Sequence, residues 1–321
     1  MKKLILSSII ICIFIFSFIL IKRFKQSKNT AAYTIGILQT ASHPALDAAR
    51  DGFIGELKNK MGNGVEFVVQ NAQGSVSAAH TIAQQFHANT HYDAFFAIAT
   101  PAAQAMAAVE KDKPIIIAAV TDPQALGFVY PTTNVCGVTD MIDIKAEIDM
   151  LITLVPTAQT VGILYTAGET NSLAAAALMR EELEARGLTA INYAIGNEAD
   201  IPTIVSLACR KTDVILAPTD NTVATSINAI ASIALRHKKP LIVSDNMLVQ
   251  FGPLAARGVD YKECGKQAAN IAYALIVEGK TPAQLPIVQP KTDTIYINKQ
   301  TVAELGLAIP ESLQQSVRII Q

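Results

Sequence analysis

The sequence predicts an α/β protein of two Rossmann-like lobes with a ligand cleft between them, preceded by an N-terminal transmembrane helix. Three observations predict it. From Tyr33 onward, short apolar runs alternate with segments whose apolar residues recur at helical spacing. The same order of runs returns 120 to 126 positions later. Residues 4–21 hold no charge, and lysines flank them on both sides.

The first half opens with Thr34–Leu38 (TIGIL), a short apolar strand. Leu46, Ala49, Phe53 and Leu57 then fall on one helical face. Val65–Val69 reads as a strand and Ala78–Phe86 as a helix. Asp93–Ala99 (DAFFAIA) and Ile115–Val120 (IIIAAV) are continuous apolar strands, the pattern of a parallel sheet buried on both faces, with the helix Ala102–Glu110 between them. The second half repeats the order with strands Thr160–Tyr165, Ala190–Ala194, Asp213–Ala217 and Leu241–Val243, and helices Leu173–Ala185 and Thr222–Leu235. Local echoes fix the repeat. Ile35-Gly36-Ile37-Leu38 answers Val161-Gly162-Ile163-Leu164, Asp93 answers Asp213, Lys113-Pro114 answers Lys239-Pro240, and Thr121-Asp122 answers Ser244-Asp245. Duplication explains this, and so does the general likeness of α/β units; both give two lobes.

Composition separates the two environments of the chain. Of 26 basic residues, six lie in the first 32 positions, where there is no acid. The rest holds 20 basic and 27 acidic residues, a net of −7, which argues against a nucleic-acid partner. Half the residues are apolar and 17% are charged, so the chain buries a large core. Leu4 to Ile21 as a helix spans about 27 Å, close to the hydrocarbon thickness of a bilayer. The run is followed by Lys22-Arg23-Phe24-Lys25 and has no small-residue cleavage site beside it, and Ile11 spoils Cys12 as a lipoprotein cysteine. The reading is an uncleaved anchor, with residues 1-32 as anchor and linker. Basic residues are no fewer on its C-terminal side, so charge alone does not orient it.

Two lobes imply a cleft beyond the carboxyl ends of the strands. Polar residues gather there: Gln39, Thr40, Ser42 and His43; Asn71 and Gln73; Thr100; Thr121 and Asp122; then Tyr165 through Ser172; Thr219, Asp220 and Asn221; and Ser244, Asp245 and Asn246. Thr100-Pro101 reads as an N-cap with proline at N1, and His43-Pro44 and Asp122-Pro123 have similar grammar. Each such start turns free N–H groups and partial positive charge toward the cleft, which suits a carboxylate. Alone, each residue has a plain local explanation. Ser42, Thr100 and Asn221 could simply cap helices, and Asp122 and Asp245 could close Asx turns. The functional case rests on convergence. No phosphate loop, HExxH or nucleophile elbow occurs. The five histidines show no metal spacing, with His80, His87 and His91 expected to face solvent. Cys136, Cys209 and Cys264 form no CxxC pair and are expected as buried apolar side chains. No metal, cofactor or catalytic residue is expected, so binding without chemistry is favoured over an enzyme using Asp122, Asp220 and Asp245.

An ordered set of motifs is similar to one family. It runs GILQTASHPALDAARDGF (Gly36–Phe53), NAQG (Asn71–Gly74), AIATPAAQA (Ala97–Ala105), AAVTDPQALG (Ala118–Gly127), GVTD (Gly137–Asp140), VGILYTAGETNS (Val161–Ser172), PTDNTV (Pro218–Val223), SDNMLVQFGPLAARGVDY (Ser244–Tyr261) and GLAIP (Gly306–Pro310). These resemble the ABC-transporter substrate-binding proteins of the tryptophan/tyrosine-binding kind (TrpX-like), over about Tyr33 to Pro310. The resemblance implies a type I periplasmic-binding-protein fold, monomeric, closing over a small amino-acid-like ligand, aromatic in characterised relatives, and delivering it to an ABC permease. It implies a periplasmic or extracytoplasmic place, here tethered by residues 4–21. Chain crossings are expected near Gly137–Asp140, Ser244–Asn246 and Pro286–Lys291. Lobe one is then 33-137 plus 246-288, and lobe two is 138-245 plus 289-321. The resemblance further implies a ligand carboxylate at Thr100–Ala103 with Thr40 and Thr121 as donors, and an α-ammonium on Asp220 or Asp245. Gln39, His43, Asp122, Tyr165 and Asn171 would line the remainder beside Asn221. A ligand-sensing module for a membrane receptor is the alternative role.

Overall fold

The computed structural model describes residues 31–129, 131, 133–290, 294–313 and 317–320. The expected membrane helix of residues 4–21 lies outside the described residues. Among the described residues no helix is long and apolar enough to cross a membrane.

Lobe one is built on a five-stranded parallel sheet of β1 (Tyr33–Gln39), β2 (Val65–Asn71), β3 (Ala94–Ile98), β4 (Ile115–Val120) and β5 (Val135–Thr139), in the order β2-β1-β3-β4-β5. Helices α1 (Pro44–Met61), α2 (Val76–Ala88) and α3 (Thr100–Val109) follow the first three strands. Every residue of β3, β4 and β5 is buried, as a sheet covered on both faces requires.

The chain then enters lobe two through α4 (Ile144–Leu154), β6 (Thr160–Thr166), α5 (Thr170–Ala185), β7 (Thr189–Ile195), α6 (Ile201–Lys211), β8 (Val214–Ala217), α7 (Asn221–Thr225), α8 (Ile227–Arg236), β9 (Leu241–Val243) and β10 (Ala255–Arg257). These strands stand in the order β7-β6-β8-β9-β10, the same permutation as lobe one. The repeat seen as sequence echoes is therefore a repeat of topology. Helix α9 (Tyr261–Ile276) returns to lobe one, and β11 (Ile295–Asn298), α10 (Lys299–Leu305) and β12 (Val317–Ile320) extend the lobe-two sheet beyond β10.

Each lobe receives its last helix from the other half of the chain. α4 follows the last lobe-one strand and buries Ile148, Leu151 and Leu154 in a core shared with β6 and α5. α9 follows β10 and packs on α1, where Ala268, Ala269 and Ala272 meet Ala49 and Phe53. The two backbones touch through glycine: a Cβ on Gly265 would lie 2.0 Å from the Ala49 carbonyl oxygen, and one on Gly52 2.3 Å from that of Lys262. Phe53 stacks on Phe96 at 3.9 Å between ring centroids beneath this contact.

This exchange corrects one expected boundary. Residues 246–257, expected in lobe one, pack with lobe two: β10 pairs with β9 and β11, and the 3-10 turn Asn246–Phe251 packs on β10, β11 and α8. The return crossing therefore falls after Arg257, at Gly258–Asp260, rather than at Ser244–Asn246. The two segments nevertheless adjoin, because a Cβ on Gly258 would meet the Ser244 carbonyl oxygen at 2.6 Å. The first and third crossings run side by side. Val288 N–H donates to Gly137 and Thr139 N–H donates to Val288, each at 2.9 Å. The helix expected over Thr222–Leu235 is broken at Ser226 into α7 and α8. Cys136, Cys209 and Cys264 are free and buried.

Candidate ligand-binding cleft

The carboxyl ends of both sheets face each other across one cleft. Backbone strain marks the lobe-one side. Among the described residues, Gln73, Ala99, Ala119 and Lys238 are the non-glycine residues with positive φ, and the first three stand at or just after the ends of β2, β3 and β4. Such conformations persist where surrounding structure holds them, commonly at ligand sites.

Ala99, at φ 72° and ψ 163°, is the N-cap of α3, so Thr100 is the first helical residue and not the expected cap. The cap comes from β1 instead. Thr40 Oγ accepts from Ala102 N–H at 3.1 Å and donates to Ile98 carbonyl at 2.9 Å. Its hydrogen is engaged there, which corrects the expected role of Thr40 as a ligand donor. Thr100 Oγ is freed, buried and without a partner. His43 is the N-cap of α1 with Pro44 following, as the sequence grammar implies. Gln39 is wholly buried and internal to lobe one: its amide donates to Ala41 carbonyl and Asp47, and accepts from Arg50. It does not line the cleft as expected.

On the lobe-two side, Asp220 caps α7 and is saturated. It accepts from Thr166 N–H at 2.6 Å, Thr166 Oγ at 2.9 Å, Val223 N–H at 2.8 Å and Ser172 Oγ. Burial, then the neighbouring Glu169 charge, push its carboxyl up to about 7. Glu169, which sequence reasoning placed in the strand-end run without singling it out, takes the other donors of α7: Asn221 N–H and side-chain amide, and Thr222 N–H and hydroxyl. The start of α7 is thus neutralised by the chain's own acids, whereas the start of α3 faces hydroxyls. Asp220 is a structural tie, contrary to its expected role on an ammonium. Tyr165, expected to line the cleft, packs in the lobe-two core. Asp122 accepts from Ala125 N–H at 2.9 Å and Asp245 from Met247 N–H at 2.8 Å, so both close turns.

The lobes touch at named points. His43 Nε2 lies 3.2 Å from Asn221 Oδ1, and burial lowers the His43 pKa, so the neutral ring donates across the cleft. Thr170 Oγ also reaches Gln104 at 3.4 Å. Two cavities open between the lobes. A mainly apolar one of about 330 Å³ lies among Thr121, Met141, Ile142, Ile144, Asn171, Ala174 and Leu178. A polar one of about 410 Å³ lies among Thr40, Ser42, Gln73, Thr166, Glu169, Asn197 and Thr222. Buried atoms without hydrogen-bond partners stand just beyond strand ends of both lobes: His43 Nδ1, Thr100 Oγ, Thr121 Oγ, Asp140 Oδ1, Asn171 Oδ1 and Asn246 Oδ1. The Thr121 hydroxyl lies beside Asp140 without closing to hydrogen-bond distance. Each buried orphan costs about 1–3 kcal/mol, and native proteins keep few of them. Among the described residues no cluster of three or more His, Cys, Asp or Glu could hold a metal ion. His87 is exposed, as expected, and also reaches the buried Glu110 at 3.1 Å.

The profile of the ABC transporter substrate binding protein family matches residues 34–318. The chain belongs to that family. Its fold is that of the type I periplasmic binding proteins. It is 32% identical to a tyrosine-binding protein of Clostridioides difficile, over 88% of this chain and 84% of that one. Among solved structures, it is similar to an ABC domain from Streptococcus pneumonia in complex with L-Trp, with 32% identity, 90% and 99% coverage and a TM-score of 0.86. It is also similar to the ligand-free, open structure of a substrate binding protein with adhesive properties from Clostridium difficile, with 31% identity, 90% and 99% coverage and a TM-score of 0.68.

Proposed function

We propose that the protein is the extracytoplasmic solute-binding component of an ABC transporter, a monomer that closes its lobes over a small amino-acid-like ligand and presents the closed form to a membrane permease. The observation that carries this reading is the set of buried, partnerless polar atoms contributed to one cleft by both lobes. A protein closed on nothing would hold these groups at a net cost; a small polar ligand would pair them. The conformation supports the same reading. At nearly equal identity and coverage, the chain superposes better on the L-Trp complex (TM-score 0.86) than on the open, ligand-free relative (0.68). The free end of α3, with Thr100, suits a carboxylate. Tyrosine and tryptophan are the first ligands to test, since relatives bind them by name. Residues 4–21 serve in this reading as the tether.

The test is thermal shift of the purified protein against the twenty amino acids and a panel of small metabolites. A ligand at a hundred times its Kd adds about 2.7 kcal/mol, which raises Tm by roughly 5–10 °C for a chain of this size. Absence of any shift across the panel overturns solute binding.

A further inference from the structure

The mainly apolar cavity between the lobes is elongated, and helix α5 sets its length. Asn171, Ala174, Ala175, Leu178, Glu181 and Glu182 all line it. Their spacing puts them in one stripe along the helix. At 1.5 Å per residue the stripe runs about 10 Å from Asn171 to Leu178 and about 15 Å to Glu181. Its character changes on the way. Asn171, at the cleft end, is 5% exposed. Its amide donates to Thr219 carbonyl at 3.0 Å, which fixes the side chain and leaves Oδ1 without a partner. The middle of the stripe is alanine and leucine. The outer end is acidic and wet, with Glu181 exposed and Glu182 paired with Arg186.

The rest of the wall comes from the end of β4, with Thr121, and from the segment after the first crossing, with Met141, Ile142 and Ile144. Thr121 Oγ is buried and partnerless like Asn171 Oδ1. These two atoms place the inner end of the cavity in the ligand cleft. Leu178, a large apolar side chain 49% exposed, places the outer end at the surface. An apolar passage therefore leads from the cleft to solvent along α5. It stays open in a conformation that superposes on an L-Trp complex with a TM-score of 0.86. From bond lengths of about 1.5 Å, a phenol or indole side chain reaches about 6–7 Å from its α-carbon. Anchored beside Asn171, such a ring covers Ala174 and stops short of Leu178.

We infer that this passage is an open-ended side-chain channel, and that the protein takes amino-acid-like solutes whose apolar side chain is longer than one aromatic ring. The inference rests on the solute-binding reading above and deepens it by naming the substrate class. A pocket closed behind the ring would reject a longer side chain by overpacking. A channel open at Leu178 lets it through. A long chain lies against Ala174, Ala175, Met141 and Ile142, and it covers the leucine now standing half in water. Its tip emerges beside Glu181, where a polar end group keeps its hydration.

The experiment measures calorimetric affinity of the full-length protein for L-α-amino acids with unbranched alkyl side chains of three, four, five, six and eight carbons, with L-tyrosine and L-tryptophan alongside. Affinity is expected to rise about threefold per added carbon, the gain of burial less the lost freedom of the chain. The eight-carbon compound then binds on the order of a hundredfold more tightly than the three-carbon one. Ala174 is exposed, so Ala174→Phe narrows the passage without entering the core; it is expected to lower that ratio at least tenfold. Leu178→Asp, at the outer end, is expected to lower the eight-carbon to four-carbon ratio by about tenfold; it decides the matter if Ala174→Phe does not fold by circular dichroism. Binding of L-tyrosine, L-tryptophan or the short alkyl compounds with no rise along the series overturns the channel and leaves the solute-binding reading standing. So does a wild-type ratio in either folded variant, which would put the chain elsewhere. No binding of any compound overturns both.

Discussion

Asp220 offers the sharpest separation between a ligand contact and a structural tie. Its two oxygens take four donors: Thr166 N–H and hydroxyl, Ser172 hydroxyl and Val223 N–H. Asp220→Ala strands two buried N–H groups that cannot turn away and two hydroxyls that can. At about 1–3 kcal/mol per orphan, the two N–H groups dominate. Part of the loss is returned, because the carboxylate is itself buried beside Glu169 and its pKa is raised to about 7. A net cost of about 3 kcal/mol remains, which lowers Tm by roughly 6–12 °C. Asp220→Asn keeps the shape and one acceptor and loses about half as much. Differential scanning fluorimetry of the ligand-free variants reads the stability, and calorimetry with the ligand found by thermal shift reads the affinity. Asp220→Asn is expected to retain affinity within about tenfold. A variant with wild-type Tm and no binding would refute the structural assignment.

Three further outcomes are expected. His43→Ala removes the cross-cleft contact with Asn221; it should widen the ligand-free ensemble in small-angle scattering and weaken ligand binding by up to about tenfold. Gly265→Ala drives a Cβ into the Ala49 carbonyl and should lower Tm by several degrees, whereas Gly55→Ala, with open space around it, should leave Tm unchanged or raise it. Ligand-free stability should fall as pH rises from about 5 to 8. Burial raises the carboxyls of Asp140, Asp245 and Glu147 to about 6, 7 and 8, so the folded state binds protons that the unfolded chain has already released, and ionising them costs stability. His43, lowered by burial, works in the opposite sense over the same interval. A Tm that is flat or rises from pH 5 to 8 would show that the acids do not dominate.

Strands β1 to β4 were legible as apolar runs, β3 and β4 as the continuous runs that a sheet covered on both faces needs, unlike β5, which Gly137 interrupts. The short β10 (Ala-Ala-Arg) and the late strands β11 and β12 were not, since three or four residues without an apolar run carry no periodic signal. The break at Ser226 was equally hidden, as the apolar spacing continues through it. Of the expected site residues, His43 and Asn221 touch across the lobes, and Thr40, Thr121, Asp122, Asn171 and Asn221 border the cavities between them. Gln39, Tyr165 and Asp220 do not, because their partners come from within a single lobe: Asp47 and Arg50 for Gln39, the lobe-two core for Tyr165, and Thr166 with Ser172 for Asp220. Asp140 lay in a quoted motif, yet nothing local distinguishes it from a turn-closing aspartate.

Sequence by itself determined the alternation of strand and helix, the internal repeat, the parallel sheets and the collection of polar residues at strand ends, since each is set by apolar periodicity and local turn chemistry. Only the tertiary structure decided which lobe owns residues 246–257, which helix start remains open to an anion, and which carboxylates are already satisfied. Those are questions of pairing between distant segments, as in His43 and Asn221, 178 positions apart. A donor or acceptor is free only when the whole fold leaves it without a partner, and no stretch of sequence states that.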